Sequence, residues 1–357
     1  MLSRLFGMAF ESSPKRLKTT SIIATHNGHF HADEALAVYL LRQLPAYATS
    51  TLLRTRDPTK LSTASIVVDV GGEYDASKDL FDHHQRTFDT CFPDRRTKLS
   101  SAGLVYLHFG KQILAPKVND TPESPTTKLI WDKLYKDFIE AIDANDNGIS
   151  VYDPKALEAA ELKRRFNDNG VSLSSLVGDL NPDWTEGGLS QEEEDRRFVV
   201  ASEFMGAAFE NKVKSWTKSW LPARQLVRQA FGERSQYDGA GRVMVLKQGM
   251  PWKDHLFACE QDAGKAGEVI YALYPEKPQD PSSRWRIQAV PVAPDAFESR
   301  QPLPEAWRGV RDEKLSEAIG IPGSIFVHAS GFIGGNLTFD GVLQMAEKAL
   351  SLNSQKS

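Results

Sequence analysis

From Thr20 onward, apolar residues come in short runs separated by stretches of helical spacing. Residues 21–25 form a β-prone run, and residues 33–44 set Leu36, Leu40 and Leu44, with Ala37 and Leu41, at helical intervals. Residues 51–54 and 65–70 predict buried strands, the second β-branched and closing on Gly71-Gly72. Leu80-Phe81 is a further short apolar run. Residues 100–113 and 127–145 predict helices, the first with Ser100 or Ser101 as N-cap, the second ending in the loop Asp146-Asn147-Gly148. This alternation of strand and helix predicts a parallel sheet covered by helices.

Farther along, residues 191–232 predict a helical stretch with an acidic first turn, Glu192-Glu193-Glu194-Asp195, broken near Leu221-Pro222. β-rich runs follow at 242–247, 268–274, 284–292 and 325–329, then a closing helix at 340–350. The expected fold is α/β: an N-terminal parallel-sheet catalytic domain at 20–185, a helical connector at 186–236 and a smaller α+β domain at 237–352. Residues 1–19 read as a disordered, targeting-like tail, in which MLSRLFGMAF resembles a brief mitochondrial presequence and Ser13-Pro14-Lys15-Arg16-Leu17-Lys18 a nuclear import signal, the alternative being a disordered tail without either role.

Composition narrows the classes. With 357 residues, a net charge of -4 and 41% hydrophobic content, the chain has the make-up of a globular protein, and any nucleic-acid contact needs a local basic lining. No run of about eighteen apolar residues occurs, so no membrane helix is expected. Cys91 and Cys259 are the two cysteines, too few and too far apart for a disulfide framework.

The candidate chemistry lies at the ends of the predicted strands. Of the eight histidines, His26, His29, His31, His83 and His84 fall within the first 84 positions, each near a carboxylate. Imidazole and carboxylate without thiolate suit Mn²⁺ or Mg²⁺ better than a structural zinc. His26, His31 and Asp69 are the expected ligands of one ion. Asp33, Asp69, His83 and Asp143 are those of a second, with Asp69 bridging. A water between two such ions would attack phosphorus in line. His84 is expected to serve the phosphate or leaving group, and Asp82 to orient a histidine. His29 and Glu34 read as bystanders, Glu34 as a helix cap, and Asp146 as a turn former. His108 and His255 read as structural.

The ordered segments THNGHFHADEALA, VVDVGGEYD, FDHHQ, LSSAGLVYLHFG, AIDANDNGI, LNPDW and PEAWRGVRDEKLSEAIGIPGSIFVHASGFIGGN resemble those of the Myg family, named for melanocyte proliferation gene. That family is related to the DHH phosphoesterases, which include RecJ-type exonucleases, oligoribonucleases and manganese pyrophosphatases. The resemblance implies a DHH-like domain, a metal-dependent 3′–5′ exonuclease acting on single-stranded RNA, and a location shared between mitochondrion and nucleus. It also makes Asp82-His83-His84 the signature motif. One departure stands out: the superfamily's first motif, His-x3-Asp-x-Asp, has His31 in place of its first aspartate and one extra residue.

In the C-terminal domain, Arg308, Arg311, His328, Gly334 and Gly335 are the substrate-binding candidates, since arginine forks and glycine amides suit phosphate. Lys247 with Trp252, and Arg284 with Arg286, are further basic and aromatic pairs. Two other functions use the same residues: hydrolysis of a small phosphoanhydride or dinucleotide, and non-catalytic metal binding.

Overall fold

The computed structural model describes residues 21–163 and 165–354, so the tail expected at 1–19 lies outside the described residues. Two compact units divide the chain between Val213 and Lys214, inside the helical stretch expected as a connector.

The first unit is an α/β layer structure. Strands β1 (Ile22–Thr25), β2 (Thr51–Arg54), β3 (Ile66–Val68), β4 (Tyr74–Asp75) and β5 (Leu80–Phe81) form one sheet in the order β2-β1-β3-β5-β4. The first four strands in that order are parallel, and β4 closes the edge antiparallel. Val67 and Ala24 meet Leu53, Leu61, Ala64 and Leu80 on one face. Ile66 and Val68, which alternation turns to the other face, are buried as well. A sheet covered on both sides has this signature, and it explains why β3 is continuously β-branched.

Helix α1 (Ala32–Arg42) packs on α3 (Ser101–Val118), with the short α2 (Pro58–Leu61) between them in sequence. Residues Ala32 to Val38 are all buried, so α1 is an interior helix and its Asp33 and Glu34 are interior carboxylates. The stretch expected as one helix at 127–145 is three pieces: α4 (Pro125–Leu134), a π-helical turn at Tyr135–Ile139, and α5 (Glu140–Asp146). Short helices α6 (Pro154–Ala159) and α7 (Leu173–Gly178) precede α8 (Gln191–Ser215).

The second unit holds α9 (Leu221–Glu233), β6 (Val243–Val245), α10 (Lys253–Asp262), β7 (Tyr271–Pro275), β8 (Trp285–Ala289), α11 (Asp312–Ile319), β9 (Ser324–Val327), β10 (Ile333–Asn336) and α12 (Phe339–Ser354). Its sheet runs β6-β7-β8-β10-β9, parallel only between β6 and β7. Tyr271, Leu273 and Ile287 join a core with Leu315 and Met345, whereas Met244 and Ala272 face Val227 and Leu256. Helices therefore cover both faces. The break expected at Leu221-Pro222 is a π turn at Trp216–Trp220 instead, and Pro222 sits in the first turn of α9, where its missing N–H costs nothing.

Candidate metal centre

Three parallel strands deliver the candidate residues at their carboxyl ends, where ligands gather in open α/β sheets. His26 follows β1, Asp69 follows β3, and Asp82 and His83 follow β5. Asp69 has a left-handed backbone, φ +56°, which aspartate tolerates better than most residues and which turns the chain sharply off the strand tip. His31 caps α1, and Asp33 and Glu34 sit in its first turn. Asp146 is the last residue of α5.

These side chains converge. His26 Nε2 lies 3.1 Å from Glu34 Oε1 and 3.2 Å from Asp69 Oδ2. His83 Nε2 lies 3.0 Å from Asp146 Oδ2 and 3.3 Å from Asp69 Oδ1. Three overlapping sets could each hold an ion: His26, His31, Glu34 and Asp69; Asp69, His83 and His84; and His31, Asp33 and Asp146. Asp69 belongs to two of them and His31 to two. All of them except Glu34 line a cavity of about 690 Å³, together with Arg56, Lys98, Asn145 and Ser174.

The electrostatics are those of a site built around positive charge. Burial alone would depress the His26 and His83 imidazoles, but the facing carboxylates outweigh it and push each up to about 10. Burial would raise Asp69, yet His26 and His83 hold it below the usual carboxylate range. Asp33 is the reverse case. It is 1% exposed, neither of its oxygens has a hydrogen-bond partner, and burial together with the charges of Asp69, Asp146 and Glu34 drives its pKa well above the ordinary value. His83 likewise has no hydrogen bond of good geometry at either ring nitrogen, despite its short carboxylate contacts. Buried carboxylates that repel one another and lack donors are costly. A divalent cation among them removes that cost, so the residues present fit the expected metal.

Around the cluster, further contacts fix orientation. Ser101 Oγ lies 3.1 Å from both Asp69 Oδ1 and Phe81 O, so its hydroxyl serves one or the other. Asp82 accepts from the Gly72 amide at 2.6 Å and contacts His84 Nδ1 at 2.7 Å, so the histidine it orients is His84. That contact raises the His84 pKa. Asn181 grips the histidine loop at Phe30: its Oδ1 accepts from the Phe30 amide at 2.8 Å and its Nδ2 donates to the Phe30 carbonyl at 2.9 Å.

The structure redistributes several expected roles. Asp143 is not in the cluster. Its Oδ1 accepts from Ser100 N, Ser100 Oγ and Gly103 N, and its Oδ2 from Tyr135, all within 3.0 Å. It thus caps α3, although burial pushes its carboxyl up to about 7 against those donors. Asp146, three residues on, meets His83 instead. Glu34, expected only as a cap, both accepts from the His31 amide at 2.8 Å and reaches His26. Asp146 and Glu34 thus join the cluster beyond the roles their sequence positions suggest. Spacing carries their signal, since each lies one helical turn or less from another candidate, Asp143 or Asp33. His29 joins none of the three sets.

The C-terminal candidates lie in the second unit. Gly334 and Gly335 are buried in β10, paired on both edges, and a Cβ at either would stand 2.9 Å from a neighbouring strand's carbonyl oxygen. Close strand packing explains these glycines, and the expectation of an anion cradle there is corrected. Arg308 Nε donates to the Leu303 carbonyl at 2.9 Å, Arg311 stacks over Phe326 with 5.7 Å to the ring centre, and His328 Nδ1 meets Ser330 Oγ at 2.9 Å.

Sequence comparison supplies relatives along almost the whole chain. It is 44% identical to the MYG1 protein YER156C of Saccharomyces cerevisiae over 346 residues, which is 95% of this chain and 100% of that protein. It is 45% identical to the MYG1 exonuclease of Mus musculus, over 92% of this chain and 84% of that one, and 42% identical to the MYG1 exonuclease of Homo sapiens, over 98% and 92%. Among solved structures, Mn²⁺-bound RecJ of Thermus thermophilus aligns with a TM-score of 0.25 at 11% identity, over 95% of this chain and 53% of that one. A family model, MYG1_exonuc, described as Uncharacterised protein family (UPF0160), matches residues 22–350. The chain belongs to that family.

Proposed function

We propose that this protein is a divalent-metal-dependent phosphodiesterase that removes nucleotides from the 3′ end of single-stranded RNA. The observation that carries the metal-dependent part is Asp33: a fully buried carboxylate without a donor, set among three other carboxylates. His26, His31, Asp33, Glu34, Asp69, His83 and Asp146 would hold two ions, and the absence of thiolate favours Mn²⁺ or Mg²⁺. Bound there, such ions supply Lewis-acid polarisation of a phosphoryl group and ready deprotonation of water.

The chain's own residues do the rest. Arg56 and Lys98 line the same cavity and give the phosphate backbone its positive partners. The Asp82 carboxylate favours the protonated form of His84, which suits His84 to hand a proton to the departing sugar oxygen. The name exonuclease carried by the murine and human relatives supports a nucleic-acid substrate. RNA, the 3′–5′ direction and a mitochondrial and nuclear location rest on the family resemblance.

A 5′-labelled single-stranded RNA incubated with purified protein and Mn²⁺ tests this. The proposal expects a ladder that shortens progressively and stops on chelation. Immediate release of labelled mononucleotide would reverse the direction. Cleavage confined to dinucleotides or pyrophosphate would favour the small-substrate alternative, which the cavity's two basic lining residues also suit.

A further inference from the structure

A second cavity of about 710 Å³ adjoins the metal centre, and the two share Asn145 and Ser174 as lining residues. Its chemistry differs. Arg56, Lys98 and four histidines line the first, whereas among the described residues no lysine, arginine or histidine lines the second. Its walls are apolar (Ile149, Tyr152, Leu157), hydroxyl- or amide-bearing (Ser172, Ser174, Asn145) and, at Asp168, acidic. A phosphate gains nothing there, while a planar heteroaromatic group with hydrogen-bonding edges finds both a stacking face and polar partners.

The surrounding segment is unusual in what it exposes. Tyr152 is 67% exposed and Val151 91%, and the stretch from Ile149 to Trp184 carries eight of the fifteen large hydrophobics exposed among the described residues. Of these, Ile149, Val151 and Tyr152 line the cavity itself, which leaves their apolar faces open to a ligand. We infer that this second cavity is a nucleobase subsite: a base flanking the scissile phosphate enters it and stacks on Tyr152, while Asn145 and Ser174 contact the nucleotide where the cavities join. The inference rests on the nucleic-acid reading of the metal centre and deepens it.

The test is equilibrium binding of the full chain to fluorescent single-stranded RNA with a hydrolysis-resistant phosphorothioate backbone, read by anisotropy. Tyr152→Ala should raise the Kd by about 5- to 150-fold, the range for losing one base stack, and Tyr152→Phe should restore affinity. RNA lacking bases at its terminal two nucleotides should bind wild type correspondingly more weakly, and Tyr152→Ala should then add no further loss. Because Tyr152 is largely exposed, thermal melting should show the variant folded. Equal affinity of wild type and Tyr152→Ala, losses that simply add, or wild type that does not bind RNA would each overturn the subsite. Hydrolysis is scored separately. Base-dependent binding without cleavage of unmodified RNA would sink the phosphodiesterase reading and leave the subsite standing.

Discussion

Replacing Asp33 by asparagine should make the metal-free protein more stable and the manganese-loaded protein less so. Asp33 is buried with neither oxygen hydrogen-bonded, and Asp69, Asp146 and Glu34 all raise its pKa by their charge. Leaving a buried polar group unsatisfied costs about 1–3 kcal/mol, and more when it is charged. Asparagine keeps the shape, removes one of the repelling charges and offers an NH₂ donor to the neighbours. The expected gain without metal is about 1–3 kcal/mol, which raises the melting temperature by about 2–4 °C per kcal/mol for a unit of this size. The sign with pH follows from the raised pKa. Below the unfolded value of 3.8 both states are protonated and the penalty vanishes; it grows as the pH climbs toward the folded value. The asparagine gain should therefore be small near pH 4 and increase at higher pH. Wild type, in turn, should gain about 2.7 kcal/mol at a Mn²⁺ concentration of about 100 Kd, a gain the variant forfeits. Melting curves in chelator and in Mn²⁺ should thus reverse the order of the two proteins. A variant less stable than wild type in chelator, or one that gains equally from Mn²⁺, would show that Asp33 neither carries this penalty nor holds the ion.

Further predictions separate residues by role. Asp146→Asn should cut metal-dependent hydrolysis at least tenfold with little loss of fold, whereas Asp143→Asn should lower the melting temperature first, because Asp143 holds the start of α3; denaturation and rate measurements on both variants distinguish them. Gly103→Ala would drive a Cβ into the Asp143 carboxylate, so it should destabilise by about 1–3 kcal/mol, read by urea unfolding. In the metal-free protein His26 and His83 have folded pKa values of about 10 against 6.5 unfolded. The stability they contribute is full below pH 6.5 and fades as the pH rises through about 10, and Mn²⁺ uptake near neutral pH should release protons, seen as buffer-dependent heats in calorimetry. Asn181→Ala should loosen the Phe30 loop and weaken Mn²⁺ binding without unfolding the unit, measurable as a right-shifted titration.

The strand tips were legible because the chemistry is strongly patterned. A β-branched run closing on Asp69 and two glycines, and an apolar pair before Asp82-His83-His84, mark parallel strands whose ends carry ligands. Asp143 and Asp146 could not be told apart, because residues three apart on a helix share a face. The choice between them is made by the π turn at Tyr135–Ile139, which lets the Tyr135 hydroxyl reach Asp143, and by the end of α5, which frees Asp146. Glu34 was read as a cap, and it is one; only the burial of α1 showed that the same carboxylate also meets His26. In the second unit, Gly334-Gly335 suggests an anion-binding element because glycine is rare inside strands. The carbonyls of the adjoining strands at 2.9 Å, which require glycine, come from chain distant in sequence.

Anomalous diffraction at the manganese edge, from crystals soaked in Mn²⁺, locates the two ions themselves. Peaks flanking Asp69, one toward His26 and Glu34 and another toward His83, Asp33 and Asp146, are the predicted result. Crystals soaked at saturating Mn²⁺ that show no peak beside these side chains would overturn the metal centre.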